Sequence, residues 1–324
     1  MKAIVQDRYG PPDNLRFAEV DQPAPADDEV LVRVHASSVN ALDWHVMRGD
    51  PYLARLSIGF RGPKAKIRGR DFAGVVEATG RNVSRFQPGD EVFGEANGTF
   101  AEYASAPDAM VETKPGNLTF EQAAAVPLAG NTALIGLRDL ARVQLGQRVL
   151  VNGASGGVGL FAVQIAKVFD ADVTGVCSAR NVDLVRSAGA DQVVDYTRGD
   201  FTQGDERYDV IFDLVGNRTL TELRRVLTPE GTLILSGGGV FSGGSFFGPM
   251  SLIIRGQAVS RFVRQRVVVF TAAQRRENLV ALRELAESGQ LTPIIDRTYP
   301  LSEAAEAIRY LEDEHARAKV VIRV

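Results

Sequence analysis

The sequence predicts an α/β chain of two domains, a doubly wound parallel sheet beside a mainly β domain. Three observations carry this. Arg148–Asn181 reads as strand, glycine turn, helix and second strand without a break. Strand and helix patterns then alternate downstream, as a parallel sheet requires. Upstream of about Thr119 the chain is short apolar runs cut by Pro11-Pro12, Pro23, Pro25, Pro88-Gly89-Asp90 and Pro115-Gly116, the punctuation of a β-rich fold.

Taken in order, strands are expected at Ala3–Val5, Glu29–Ala36, Gly74–Thr79, Glu91–Phe93 and Phe100–Ala104. Helical composition begins at Thr119–Val126 and Gly130–Ala141. Arg148–Asn152 suits a buried parallel strand, and Gly157–Phe169 places Val158, Phe161, Ala162, Ile165 and Val168 at helical spacing. Strands follow at Val173–Val176, Gln192–Asp195, Asp209–Leu214 and Gly231–Ser236, with a helix at Thr219–Leu227. The glycine-dense Ser236–Gly248 reads as a mobile loop. Strand Gln265–Phe270 precedes an amphipathic helix, Ala272–Ser288, and Ile294–Val324 returns to the first domain with a helix near Ser302–Glu312 and a terminal strand. The expected division is 1–122 with 293–324 for one domain and 123–292 for the other.

The turn Gly153-Ala154-Ser155-Gly156-Gly157-Val158-Gly159 has the form A-x-G-x-x-G rather than G-x-G-x-x-G. Small residues let the backbone approach a pyrophosphate, and the N–H groups at the helix start favour its charge. A dinucleotide site is therefore expected on Ala154, Ser155, Gly156, Gly157, Val158 and Gly159. About 20 residues beyond the glycines, NAD-binding units carry an acid for the ribose hydroxyls. Here stand Cys177, Ser178, Ala179 and Arg180. Without a carboxylate to repel a 2′-phosphate, and with Ser178 and Arg180 able to donate to one, NADP(H) is favoured.

The chain has 324 residues, 45% of them hydrophobic, and a net charge of −3, enough for two cores and without the basic field that nucleic acid binding needs. Arg61, Lys64, Lys66, Arg68 and Arg70 form a local basic cluster that reads as a solvated loop. Cys177 is the sole cysteine, which excludes an internal disulfide and a Cys-rich metal site. No uninterrupted apolar stretch reaches the length of a membrane span, and the start lacks the apolar core of a signal peptide, so a cytoplasmic location is expected.

Several stretches together resemble the medium-chain dehydrogenase/reductase superfamily: VLVRVHASSVNALDWHVMRG at 30–49, IRGRDFAGVVEATG at 67–80, FQPGDEVFG at 86–94, VPLAGNTALIGL at 126–137, the NGASGGVG turn and HARAKVVI at 315–322. The resemblance covers the whole chain and is strongest to the zinc-independent quinone oxidoreductase branch. It implies a GroES-like catalytic domain joined to a Rossmann domain, an NADPH-dependent oxidoreductase, and a homodimer paired through strand 265–270. Zinc-dependent members hold their catalytic metal with a Cys three residues before an Asp and with a His-Glu pair. The matching positions here are Asn40 before Asp43, and Arg70-Asp71, which cannot supply a thiolate and an imidazole. No metal is expected. Reduction of a quinone or an α,β-unsaturated carbonyl then becomes the fitting reaction, since an unactivated alcohol needs a Lewis acid.

Asn40 and Asp43 fit two roles equally: orienting substrate or cofactor, with Asp43 holding Arg48 or a ribose, or capping the helix at Ala41–Met47. His45 and Tyr52 are candidate proton donors. By resemblance, Thr132 meets the nicotinamide side, Tyr196 the adenosine phosphate, and Lys319 a further cofactor position. Val215, Gly216, Gly237 and Gly238 lie at strand ends where ligands enter open α/β sheets. Trp44, Tyr52, Phe60, Phe241, Phe246, Phe247 and Met250 are expected to wall an apolar pocket. A short-chain dehydrogenase is set aside because no tyrosine has a lysine four residues on. The rival reading is an NADPH-binding regulatory or structural protein of the same fold.

Overall fold

The computed structural model describes residues 1–236, 264–270, 272–313 and 316–324. Along the chain the strands are β1 Lys2–Val5, β2 Arg16–Glu19, β3 Glu29–Val39, β4 Asp71–Thr79, β5 Glu91–Glu95, β6 Tyr103–Pro107, β7 Val111–Thr113, β8 Arg148–Asn152, β9 Asp172–Cys177, β10 Gln192–Asp195, β11 Tyr208–Asp213, β12 Leu227–Leu235, β13 Arg266–Val269, β14 Ile295–Pro300 and β15 Lys319–Arg323. The helices among the described residues are α1 Ala41–Arg48, α2 Arg55–Ile58, α3 Phe120–Ala124, α4 Pro127–Leu134, α5 Gly157–Val168, α6 Val182–Ser187, α7 Leu220–Arg225, α8 Arg276–Glu287 and α9 Ala304–Asp313. None of them is long and apolar enough to cross a membrane.

Two compact units emerge, Met1–Asn131 with Ala273–Val324, and the described residues between them. In the first unit, β14-β15-β3-β4-β5-β7 form one sheet and β6 pairs with β3. Its long central strand β3 alternates with β4 and β6 to bury Val30, Val32, Val34, Phe72, Ala104 and Ala106 in one core. The strand expected at Phe100–Ala104 is displaced to Tyr103–Pro107. Phe100 and Ala101 are instead fully buried beside β1, where Ile4 N–H donates to the Phe100 carbonyl.

The second unit is a six-stranded, wholly parallel sheet in the order β10-β9-β8-β11-β12-β13. This is the doubly wound order, and it reverses between β8 and β11. Strand β8 is buried on both faces from Val149 to Asn152, which explains its unbroken apolar run. Leu150, Val176, Ile211, Leu223 and Leu233 share the core. The helix expected at Gly130–Ala141 begins as α4 and widens to a π-helix over Ile135–Ala141. There Gly136 leaves room for the Phe212 ring, which a Cβ would meet at 2.7 Å.

The amphipathic helix expected at Ala272–Ser288 is α8, but it packs within the first unit. Asn278 Nδ2 donates to Asn131 Oδ1 at 2.7 Å, Arg283 Nη1 to Glu112 Oε1 at 2.8 Å, and Leu279 and Leu282 are fully buried. A division at 292/293 would separate this helix from the residues it covers. The Gly-rich stretch after Ser236, with Gly237, Gly238, Phe241, Phe246, Phe247 and Met250, lies outside the described residues, as does His315.

Candidate functional site

In the second unit the glycine turn follows β8 directly. Gly153 takes a φ of +89° and the N–H groups of Gly153 and Ala154 donate to the Val176 carbonyl at 3.2 and 3.0 Å, tying the turn to β9. Gly156 is the N-cap of α5, no side chain caps it, and the first intrahelical bond runs from Leu160 N–H to the Gly156 carbonyl at 3.0 Å. The N–H groups of Gly157, Val158 and Gly159 precede that bond and are the donors a helix start offers an anion. Two features form a cradle that fits a pyrophosphate. A Cβ on Gly159 would lie 2.1 Å from the Gly153 carbonyl oxygen, while one on Gly156 would meet nothing nearer than 3.4 Å. The residues fit a dinucleotide.

Past β9, Ser178 is half-buried and Arg180 exposed. Asn181, which the sequence reading passed over, is 3% exposed and joins the two loops: its Nδ2 donates to Ser155 Oγ at 3.1 Å and to Ser178 Oγ at 3.3 Å. Its Oδ1 is buried without a protein partner among the described residues. Cys177 is buried, and burial pushes its thiol up to about 11, leaving it unreactive. Tyr196 is 46% exposed, with its N–H donating to the Cys177 carbonyl. Thr132 is buried in α4.

At the sheet's reversal point, Asn152 and Asp213 end β8 and β11. Asn152 Nδ2 donates to Asp213 Oδ1 at 2.8 Å and to Asn217 Oδ1 at 3.0 Å. The same Asp213 oxygen accepts from the N–H groups of Val215 and Gly216, both at 3.1 Å. Val215 and Gly216, expected to contact cofactor, therefore have their N–H groups turned inward to Asp213. Asp213 follows an apolar strand and precedes Val215-Gly216, a position that marks it in the sequence, but its partner Asn152 lies 61 residues away.

The first unit holds a second constellation. Lys319, 3% exposed, donates from Nζ to Asn40 Oδ1 at 2.5 Å and to the Val39 carbonyl at 3.2 Å, and lies 3.7 Å from Asp71 Oδ2. Asn40 Nδ2 donates to Asp71 Oδ2 at 2.9 Å and to the Ser38 carbonyl at 3.3 Å. Asp71, fully buried, accepts also from Ser38 Oγ at 2.7 Å and, through Oδ1, from Leu128 N–H at 3.0 Å near the start of α4. Lys319 thus serves the first unit's core network. Both amide hydrogens of Asn40 are engaged by the protein itself.

Asp43 takes the capping role: its Oδ2 accepts from Asn40 N–H at 2.8 Å. It does not hold Arg48, whose Nε pairs with Glu312, the carboxylate that also accepts from Trp44 Nε1 at 2.6 Å. Burial is the main cause that raises Asp43 to about 7, and nearby Asp71 adds to it. Burial likewise lifts Glu95 to about 7, although Arg70 lies 3.5 Å away. Arg70, at the position of a metal-binding imidazole, instead donates to Asn97 Oδ1 at 2.7 Å.

His45 and Tyr52 are not brought together with a common acceptor. His45 Nδ1 lies 3.0 Å from the Asp50 carbonyl, so this nitrogen carries the hydrogen and the neutral ring keeps Nε2 as an acceptor. Burial lowers its pKa, making it a weak store of protons at neutrality. Tyr52 is 44% exposed, its ring 4.6 Å from the Arg55 guanidinium. Of the expected pocket walls, Trp44 is buried and Phe60 is 76% exposed.

Residues 26–116 match the family described as the alcohol dehydrogenase GroES-like domain, and residues 188–322 match the zinc-binding dehydrogenase family. The mitochondrial NAD(P)H oxidoreductase RTN4IP1 of Bos taurus is 34% identical over 100% of this chain and 89% of its own. The quinone oxidoreductase structure from Coxiella burnetii superposes with a TM-score of 0.86 at 30% identity, covering 100% of this chain and 99% of the other. The structure of mycobacterial Rv1454c complexed with NADPH gives a TM-score of 0.83 at 27% identity, with 100% of both chains covered. The chain therefore belongs to the medium-chain dehydrogenase/reductase superfamily, within its quinone oxidoreductase branch, and is an oxidoreductase.

Proposed function

We propose that the protein reduces a quinone or an α,β-unsaturated carbonyl with NADPH, and does so without zinc. The observation that carries this reading is the buried Lys319 ammonium bonded to Asn40 and beside Asp71. Asn40 and Arg70-Asp71 stand where zinc-dependent members hold their metal. A fixed cation against the only carboxylate of that set disfavours a dication by direct repulsion, and an amide with Arg70 offers no soft ligand.

When bound, NADPH supplies the hydride. The first-turn N–H groups of α5 bind the pyrophosphate, and Ser178 and Arg180 hold the 2′-phosphate, a preference supported by the absence of an acid after β9. Asn181 keeps the Ser155 and Ser178 loops in register, and its unpartnered Oδ1 accepts a ribose hydroxyl. In the first unit, Asp71 and Lys319 hold Asn40 in one orientation. The proton that completes reduction comes from solvent or from the Tyr52 phenol, because the His45 Nε2 is an acceptor. A homodimer through β13 belongs to the same reading and is supported by that strand's place at the edge of the described sheet. A monomer in sedimentation velocity at working concentration overturns it.

The test is NADPH oxidation, followed at the nicotinamide absorbance, with a panel of quinones and enones, before and after exhaustive chelation. Turnover unchanged by chelation supports the proposal, and loss on chelation with recovery on added zinc refutes it. One observation favours a second reading. Because both Asn40 amide hydrogens are already engaged, the chain would bind NADPH and regulate without turnover. Tight NADPH binding with every acceptor inert would select that reading.

A further inference from the structure

Between Pro51 and Arg70 the chain carries six cations, Arg55, Arg61, Lys64, Lys66, Arg68 and Arg70, and no acid, in a protein whose net charge is −3. Most of these cations are consumed in holding the segment. The Arg55 guanidinium lies 4.6 Å from the centres of both the Tyr9 and Tyr52 rings and donates from Nε to the Gly49 carbonyl at 2.8 Å. Lys66 lies 3.6 Å from Asp7, Arg68 is buried and donates to the Ala65 carbonyl, and Arg70 bonds Asn97. Arg61 and Lys64 are exposed, with no ion-pair partner among the described residues.

The backbone between them is pinned. Tyr9 Oη donates to the Gly59 carbonyl at 2.6 Å, Gly59 N–H to the Arg55 carbonyl at 3.0 Å, and Lys64 N–H to the Ile58 carbonyl at 2.8 Å. On this rigid support Leu56 is 71% and Phe60 76% exposed. Of the seven exposed large hydrophobic side chains among the described residues, three, Tyr52, Leu56 and Phe60, fall in this short stretch. That concentration makes a patch rather than scattered surface residues.

We propose that Leu56–Lys64 is a peripheral docking surface for an anionic lipid bilayer, with Leu56 and Phe60 entering the acyl boundary and Arg61 and Lys64 meeting the headgroups. Apolar side chains flanked by cations are the chemistry of an interfacial anchor. A two-fold contact with a second copy would set Arg61 and Lys64 against their own kind, with no acid on the segment to answer them. A polyanion such as RNA would engage the cations but leave Leu56 in water. The surface is the same whichever acceptor is reduced, although it would bring the protein to lipid-dissolved substrates.

The test is co-sedimentation of the full chain with vesicles of phosphatidylcholine alone, or with about a third phosphatidylserine, at low salt. Wild type should pellet with the anionic vesicles and stay in solution with the neutral ones. Leu56→Ser/Phe60→Ser and Arg61→Glu/Lys64→Glu should each weaken partitioning by about tenfold or more. Leu145→Ser, at a side chain 79% exposed in the other unit, should bind as wild type. Circular dichroism confirms that each variant is folded, which the exposure of all five positions favours. The proposal is overturned if wild type ignores anionic vesicles, if neutral vesicles bind equally, if the double variants bind undiminished, or if Phe60→Ser changes the sedimentation coefficient without lipid, which would assign the patch to a second copy.

Discussion

Lys319 Nζ donates to Asn40 Oδ1 at 2.5 Å across 279 residues of chain, and both side chains are at most 5% exposed. The bond joins β15 to the residue that opens α1, and Asp71 balances the charge from β4. Replacing Lys319 with Met removes the cation and leaves Asp71 as a buried, uncompensated carboxylate. Loss of one partner of such a pair costs about 3–5 kcal/mol. Urea unfolding of Lys319→Met should show that loss. Lys319→Met/Asp71→Asn, which removes both charges but keeps an acceptor for the Asn40, Ser38 and Leu128 donors, should recover part of it. If the single variant is as stable as wild type, the pair does not stabilise the unit.

Asp43 makes stability depend on pH in an unusual direction. Its folded pKa, about 7, exceeds the unfolded value near 3.8 because burial disfavours the carboxylate. Between these values the folded state binds more protons than the unfolded one, so this group's contribution is full below the unfolded pKa and is lost as pH rises toward 7. Asp43→Asn keeps an acceptor for Asn40 N–H and cannot ionise. Relative to wild type it should gain roughly 2–3 kcal/mol between pH 5 and pH 8. Paired urea titrations at the two pH values measure it, and a constant difference would show that Asp43 does not titrate in this range.

The parts of the molecule legible in its sequence are those decided within a few residues. The strand–turn–helix at Arg148–Val168 is visible because its pattern is local, as Gly159 answers to the Gly153 carbonyl six residues before it. The Asn40 site is different. Asn40 and Asp43 show their capping pattern locally, but the bonds that orient the Asn40 amide come from Asp71 and Lys319, distant along the chain and set by the pairing of β3 with β4 and β15. Lys319 looks like a surface cation at the start of a terminal strand until that pairing buries it. Helix α8 is equally ambiguous: its apolar face is plain, but no local feature says which unit it covers.

Gly159 is where the dinucleotide site is most sensitive to a single methyl group. A Cβ there would sit 2.1 Å from the Gly153 oxygen, so Gly159→Ala must push α5 away from the turn that aims its N–H groups. Gly156→Ala, with its nearest contact at 3.4 Å, leaves the helix in place and only intrudes on the ligand side. NADPH affinity by fluorescence titration should fall about 100-fold or more in Gly159→Ala, with a loss of stability. In Gly156→Ala affinity should fall with the melting temperature unchanged. Equal NADPH binding by Gly159→Ala and wild type would exclude this turn as the pyrophosphate site.

Arg180 should decide which nicotinamide cofactor is used. It lies just past β9, where an acid would accept ribose hydroxyls, and the neighbouring Asn181 side chain bonds Ser155 and Ser178. A charge-assisted bond to the 2′-phosphate is worth about 1.5–3 kcal/mol. Arg180→Ala should therefore raise the KM for NADPH by roughly 10- to 100-fold and leave kcat and the KM for NADH nearly unchanged. Ser178→Asp should go further, since a carboxylate repels the phosphate yet accepts the hydroxyls of NADH. The cofactor preference should then invert. If Arg180→Ala weakens both cofactors alike, its contact is with the shared part of the dinucleotide, and selectivity for NADPH lies elsewhere.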